Sequence, residues 1–177
     1  NPPDLRYTAG ISLLDGDGHH IQEDIDLFAE KIAIGRSAAL TDEFMIIGRI
    51  ESLILGMGME DALARAHAYV AAGANGIMIH SRRSTPDEIF EFCDAFRKKD
   101  SDTTLVVVPT QYSVVRESEL IAHGVNIVIY ANHLLRASFP AMRAAGESIL
   151  RNGRALEADE ICLPVDQLLS MIPNKVS

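Results

Sequence analysis

Four short apolar runs, each followed by a stretch with helical periodicity, restrict this chain to a parallel α/β architecture. The runs fall at residues 43–52, 76–80, 104–110 and 126–131, and helices are expected over 21–39, 59–72, 85–98 and 117–123. The runs are apolar on both faces instead of alternating, which is the pattern of parallel strands covered on both sides. Such alternation leads either to a doubly wound sheet or to a (β/α) barrel.

The first run, FMIIGRIES, contains a local conflict. Side chains alternate along a strand, so Met45, Ile47, Arg49 and Glu51 share one face and Phe44, Ile46, Gly48 and Ile50 the other. Charges at the end of a strand that otherwise reads as buried mark a candidate site. Polar residues also follow the other runs: His80 and Ser81, Thr110, then Asn132 and His133. In a (β/α)₈ barrel these C-terminal strand ends converge on one mouth, where the site is built. A doubly wound sheet more often carries a glycine-rich phosphate loop after its first strand, and neither that fingerprint nor a Walker pattern occurs here. A whole barrel takes about 250 residues. The expectation is therefore the C-terminal half of a TIM-type barrel, about four βα units plus C-terminal helices, in one partial domain over 1–177.

Several helix boundaries are legible. Residues 1–18 read as loop, and Glu23, Asp24 and Asp26 place acids at the start of the first helix. Gly73 reads as a C-terminal stop, and Thr85-Pro86-Asp87-Glu88 as a start with Thr85 as N-cap and Glu88 closing a capping box. After Asn132-His133 the helical pattern runs to about residue 152, with an interruption expected before Pro140 and Ser138 as its cap; residues 164–172 read as a short last helix.

Net charge is −9, so neither nucleic acid nor an anionic membrane is an expected partner, since both require a basic patch. A single well-placed arginine still suffices for a small anionic substrate. The two cysteines, Cys93 and Cys162, have no local pairing motif and read as reduced cytosolic thiols, which makes the expected location cytoplasmic. No apolar run approaches membrane-spanning length.

The segment 46–56, IIGRIESLILG, resembles the "ARVEALIAG" strand of the phosphoenolpyruvate mutase and isocitrate lyase superfamily. The resemblance continues through GMEDALARAHAYVAAGANGIMIHSRRSTPDEI (58–89), VVVPT (106–110), ANHLLRA (131–137) and NGRALEAD (152–159). It is greatest to the mutase branch, which interconverts phosphoenolpyruvate and phosphonopyruvate, with phosphonopyruvate hydrolase as the near neighbour. The resemblance implies that Arg49 and His80 hold the phosphoryl or phosphonyl oxygens of a small phosphorylated 2-oxo or enol acid. Glu51, two residues on from Arg49 and on the same face, would hold it in position. Ser12 and Asn132 are supporting candidates; for Asn132, capping of the next helix ranks above substrate contact. The implied cofactor is Mg²⁺, whose acidic ligands lie on earlier barrel strands, so no metal ligand is assigned in this chain. A homo-oligomer is also implied, with the C-terminal helices, 134–177, reaching a neighbouring subunit. Residues 1–20 would be the remnant of a gating loop. There the sequence departs from the family: Tyr7-Thr8-Ala9-Gly10-Ile11 precedes Ser12-Leu13-Leu14-Asp15-Gly16, and Ile11 stands where an asparagine is expected.

Blander readings compete at several positions. Arg49 could reach solvent or merely pair with Glu51, and His80 could be a structural histidine. The Ser81-Arg82-Arg83-Ser84 segment reads as a solvated loop ahead of phosphate binding, and His19-His20 is rejected as a metal pair because tandem side chains diverge. Gly56-Met57-Gly58 reads as a turn, and neither cysteine has a neighbouring base. The alternatives to the mutase are phosphonopyruvate hydrolysis, C–C lyase chemistry on a 2-oxo acid, or a non-enzymatic assembly module, with the segment inactive alone.

Overall fold

The computed structural model describes residues 22–171. These divide between Tyr130 and Ala131 into two compact units. In the first, α1 (Ile25–Ser37), β1 (Ile47–Ile50), α2 (Gly58–Ala71), β2 (Gly76–Ile79), α3 (Asp87–Arg97), β3 (Thr104–Val107), α4 (Glu117–Ala122) and β4 (Ile127–Val128) alternate. All three strand pairings are parallel and the sheet order is β1-β2-β3-β4. This is the expected run of βα units, in sequential order as in a barrel wall.

The register divides the strands between two environments. Ile50, Ile77, Ile79, Leu105 and Val107 lie in the core, together with Tyr69 of α2 and Ile89, Phe92, Cys93 and Phe96 of α3. The alternate residues, Ile47, Arg49, Met78 and Val106, form the other, inner face, with Arg49 level with Met78 and Met78 level with Val106. Cys93 is fully buried, and its desolvation pushes the thiol up to about 12, which makes it a packing residue with no nucleophilic character.

The strands are shorter than expected, and polar side chains intercept the ladder at its N-terminal end. The Ile46 amide donates to Asn75 Oδ1 (2.9 Å), while the Ile46 carbonyl receives the Asn75 and Gly76 amides at 2.8 and 3.3 Å. Asn126 does the same near β4, its Oδ1 accepting from the Leu105 amide and from Arg97. Arg97 also donates to the carbonyls of Gly124, Asp100 and Thr103, tying the end of α3 to the N-terminal side of β3 and β4. The first helix begins later than expected because the Asp24 carboxylate caps it, receiving the amides of Asp26 (2.9 Å) and Leu27 (3.2 Å). Gly73 ends α2's turn at φ +101°, as its position implied.

The expected capping box at α3 is not made. Pro86 occupies the N-cap position without a side-chain cap, Thr85 donates to Asp87 Oδ2 (2.7 Å), and Glu88 is drawn instead to Ser81 and Arg83. A carboxylate gains more from a hydroxyl and a guanidinium than from one backbone amide.

The second unit holds α5 (His133–Asn152), a 3₁₀ turn (Asp159–Ile161) and α6 (Val165–Ser170). The interruption expected before Pro140 is absent, for α5 runs straight through it. Proline removes the donor for the carbonyl of Arg136, but both positions are exposed, so the carbonyl stays open to solvent. Ser138 bonds back to the Leu135 carbonyl (3.0 Å) and caps nothing.

Gly76 is where two strands and a side chain meet. A Cβ there would lie 2.7 Å from Ile47 Cδ1 and 2.8 Å from the Thr104 carbonyl oxygen. Gly76→Ala is therefore expected to cost about 1–3 kcal/mol through overpacking against backbone, read as a lower urea midpoint; an unchanged midpoint would contradict this packing.

Candidate active site

The strands carry their polar ends on the inner face. Arg49 is on β1, and Glu51 and His80 stand one residue beyond the last paired rung, Ile50 with Ile79. The Arg49 Nε–H donates to Glu51 Oε1, and the two side chains retain 26% and 16% of their exposure. This pair is therefore screened only in part, and the carboxylate fixes one edge of the guanidinium fork.

His80 is 6% exposed, and its Nδ1 is buried without a hydrogen-bond partner. Burial is the main reason its pKa is held below the ordinary histidine value; the charge of Arg49 lowers it further, Glu51 opposes, and Arg82 lowers it slightly. The imidazole is accordingly neutral at pH 7. A neutral ring with an unused nitrogen beside an arginine is an arrangement able to hydrogen-bond an anionic ligand without demanding proton transfer. An unsatisfied buried polar atom is uncommon and calls for an explanation.

Of the sequence candidates, Arg49, Glu51 and His80 are brought together. Asn132 belongs to the second unit, where it stands at the N-cap of α5. Its side chain makes no cap hydrogen bond and its Oδ1 is buried without a partner, so the expected capping role is not made. Its φ/ψ of −137° and 0° is not the extended conformation that aims a capping side chain at the first turn. Ser12 and the His19-His20 pair lie outside the described residues. Ser52 was passed over as a site element, and Ser81, named among the polar strand ends but read as part of a solvated loop, is not solvated: both serines are completely buried at the strand ends. A serine directly after a charged or imidazole residue at a strand end was the available signal.

The family model described as phosphoenolpyruvate phosphomutase matches residues 7–150. The chain belongs to that family. It is 38% identical over 156 residues to phosphonopyruvate hydrolase from Variovorax sp. (strain Pal2), a match covering 88% of this chain and 53% of that protein. Among solved structures, phosphoenolpyruvate phosphomutase from Streptomyces platensis subsp. rosaceus superposes with a TM-score of 0.81 at 32% identity, over 90% of this chain and 54% of that one. A phosphonopyruvate hydrolase complex with oxalate and Mg²⁺ gives a TM-score of 0.76 at 38% identity, covering 85% of this chain and 52% of that one. The chain thus spans about half the length of the relatives it matches. Among the described residues, no group of three or more His, Cys, Asp or Glu side chains is placed to hold a metal ion. The described part of this phosphomutase-family chain carries Arg49 and His80 on the inner face of its sheet.

The direction of the His80 shift fixes the sign of its pH dependence. Its folded pKa lies below the unfolded value of about 6.5, so the unfolded chain takes up the proton first as pH falls. The contribution to stability is complete above about pH 6.5 and is lost as pH drops through the folded value. Urea titrations should show stability falling below that pH, with the fall reduced in His80→Gln. Equal slopes in the two proteins would refute a neutral His80.

Proposed function

We propose that the whole protein interconverts phosphoenolpyruvate and phosphonopyruvate, moving a phosphoryl group between the enol oxygen and the methylene carbon of pyruvate. The observation carrying this reading is the convergence of Arg49 and a neutral, unsatisfied His80 at consecutive strand ends of a phosphomutase-family sheet. The transferring group is loosely bonded to both its partners in the transition state, and its oxygens stay anionic throughout. Catalysis of such a step is positioning and electrostatic stabilisation more than covalent chemistry. Arg49 offers a planar fork of donors, one edge of which is held by Glu51. His80 offers a neutral donor or acceptor beside it, and both would follow the migrating group from one bonding partner to the other. Magnesium, when bound, would hold the pyruvate oxygens; among the described residues no group of three or more His, Cys, Asp or Glu side chains is placed to hold it.

A second reading, hydrolysis of phosphonopyruvate, draws on the 38% identity to the Variovorax hydrolase and on Ile11 in place of the asparagine expected in the gating segment. Product analysis on the full-length protein with phosphonopyruvate and magnesium separates them. Phosphoenolpyruvate as product supports the mutase, pyruvate plus phosphate the hydrolase, and cleavage of a C–C bond in a 2-oxo acid would displace both. In whichever reaction is found, Arg49→Met is expected to lower kcat/KM by about 10²–10³-fold, the scale of losing one preorganised charge-stabilising donor; an effect under tenfold would leave Arg49 outside the site.

The same reading includes homo-oligomerisation and a cytoplasmic location. No residue of α5 is buried, and Leu134, Leu135, Phe139, Met142 and Leu150 are exposed along it. An apolar surface of that extent on one helix is an association surface. No helix among the described residues is long and apolar enough to cross a membrane. Sedimentation should show the chain self-associated at micromolar concentration; a compact monomer would defeat the assembly.

A further inference from the structure

The ends of β1 and β2 share a feature that the proposed chemistry does not use. Ser52 follows Glu51 and Ser81 follows His80, and both serines are 0% exposed. The two are equivalent in register, each two residues beyond the last paired rung, Ile50 with Ile79. Strand alternation turns both away from the inner face, toward the helices. There each hydroxyl donates to a carboxylate near the start of the helix that follows its strand: Ser52 Oγ to Asp61 Oδ2 (2.6 Å) on α2, and Ser81 Oγ to Glu88 Oε1 on α3. Each carboxylate in turn pairs with an arginine. Arg65 Nε meets Asp61 Oδ2 at 2.9 Å, and Arg83 Nε meets Glu88 Oε2 at 2.8 Å.

The third strand supplies an internal control. Val107 is level with Ile79, so Val108 is the counterpart of His80 and Pro109 that of Ser81. Proline has no side-chain donor, and among the described residues no such latch is present there. The two strand ends that carry ionisable inner-face groups each have a serine bonded to the helix that follows; β3 carries Val108 and Pro109, and β4 carries Ile129 and Tyr130, whose hydroxyl donates to Glu117 Oε1 (2.8 Å) on the helix that precedes the strand.

We propose that Ser52–Asp61–Arg65 and Ser81–Glu88–Arg83 are twin positioning latches, the first fixing the Arg49–Glu51 pair and the second fixing His80. Ser52, Asp61, Ser81 and Glu88 are positioning residues in this assignment; none is placed against substrate. The first latch has a further attachment. Arg65, 5% exposed, also donates through Nη1 to the Glu23 carbonyl (2.6 Å) and to Tyr69 Oη (3.3 Å), and Ser52 Oγ lies 3.3 Å from Gln22 Oε1. The latch thereby joins the end of β1 to the residues that lead into α1. The second is local: Ser81 Oγ also accepts the Arg83 amide (3.0 Å), closing the turn that His80 enters. The significance of the latches rests on the reading of Arg49 and His80 as ligand-holding groups, but their existence can be tested without catalysis.

The experiment compares Ser52→Ala and Ser81→Ala in the 177-residue chain by NMR, following hydrogen exchange of the Arg49 Nε–H and the side-chain couplings that report the χ1 rotamer of His80. A hydrogen bond to a charged group lost from the latch should speed Arg49 Nε–H exchange about tenfold in Ser52→Ala and leave it unchanged in Ser81→Ala. His80 should show the converse, one rotamer in the parent and in Ser52→Ala but averaged rotamers in Ser81→Ala. Ser52→Thr and Ser81→Thr, which keep the hydroxyl, should restore the parent values. Should an alanine variant fail to fold, Asp61→Asn and Glu88→Gln weaken the same bonds at constant volume and are expected to show the same crossed pattern. A fall in melting temperature with both reporters unchanged overturns the proposal, as does an equal effect of each substitution at both strand ends. Failure of the phosphonopyruvate assay, by contrast, would leave these reporters unaffected and refute only the chemistry.

Discussion

The arrangement depends above all on the register between β1 and β2, Ile47 with Gly76 through Ile50 with Ile79. Side chains alternate with a period of two, so a slip of one residue would turn Arg49 into the helix layer and Ile50 out of it. The apolar cost of exposing Ile50, Ile77 and Ile79, each 0% exposed, opposes that slip, and so does the penalty for burying a guanidinium among them. Two local details reinforce it. Asn75 pairs with the backbone of Ile46 through both side chain and main chain, pinning where the ladder starts. Gly48 leaves room for Tyr69, whose Cδ2 would lie 2.9 Å from a Cβ there, so α2 seats directly on β1. The position of the cation is therefore a consequence of packing two layers away from it.

Once the register is set, electrostatics follows from burial. His80 cannot hold a proton cheaply in a site from which water is excluded, and the neighbouring Arg49 adds to that cost. Glu51 pulls in the other direction but is already engaged with Arg49. The outcome is one formal ion pair and one neutral ring, a combination suited to receiving an anion because the ring adds no charge that must be desolvated.

The fold was legible from the residues because its signals were redundant. Doubly apolar strands, helix periodicity, Gly73 and the polar strand ends all pointed to parallel βα units, and those units are present. Arg49, Glu51 and His80 were legible for the same reason, as polar groups in an apolar pattern. Boundaries were less so, since they were settled by single side chains with long-range partners: Asn75 and Asn126 shorten strands, and Asp24 delays α1. The α3 capping box failed for the same cause, because local sequence cannot register that Glu88 has Ser81 as a competing partner. Pro140 misled because a breaker on an exposed helix costs only one hydrogen bond, which water can replace.

Arg65 shows what such a competing partner implies. A guanidinium 5% exposed between two helices is expensive to desolvate, and an apolar side chain of similar volume would often serve stability as well or better. Burial alone would lower its pKa, yet the bonds with Tyr69 and Asp61 outweigh that and the net shift is upward. The charge is thus fully compensated instead of merely tolerated, with donors directed at Asp61, Tyr69 and the Glu23 carbonyl. Those partners lie on α2 and at the entry to α1, and through Asp61 the network reaches Ser52 at the end of β1. Hydrophobic contacts could bring the same elements together but would permit small sliding. Directional bonds restrict that freedom, and the strand end so restricted is the one that carries Arg49.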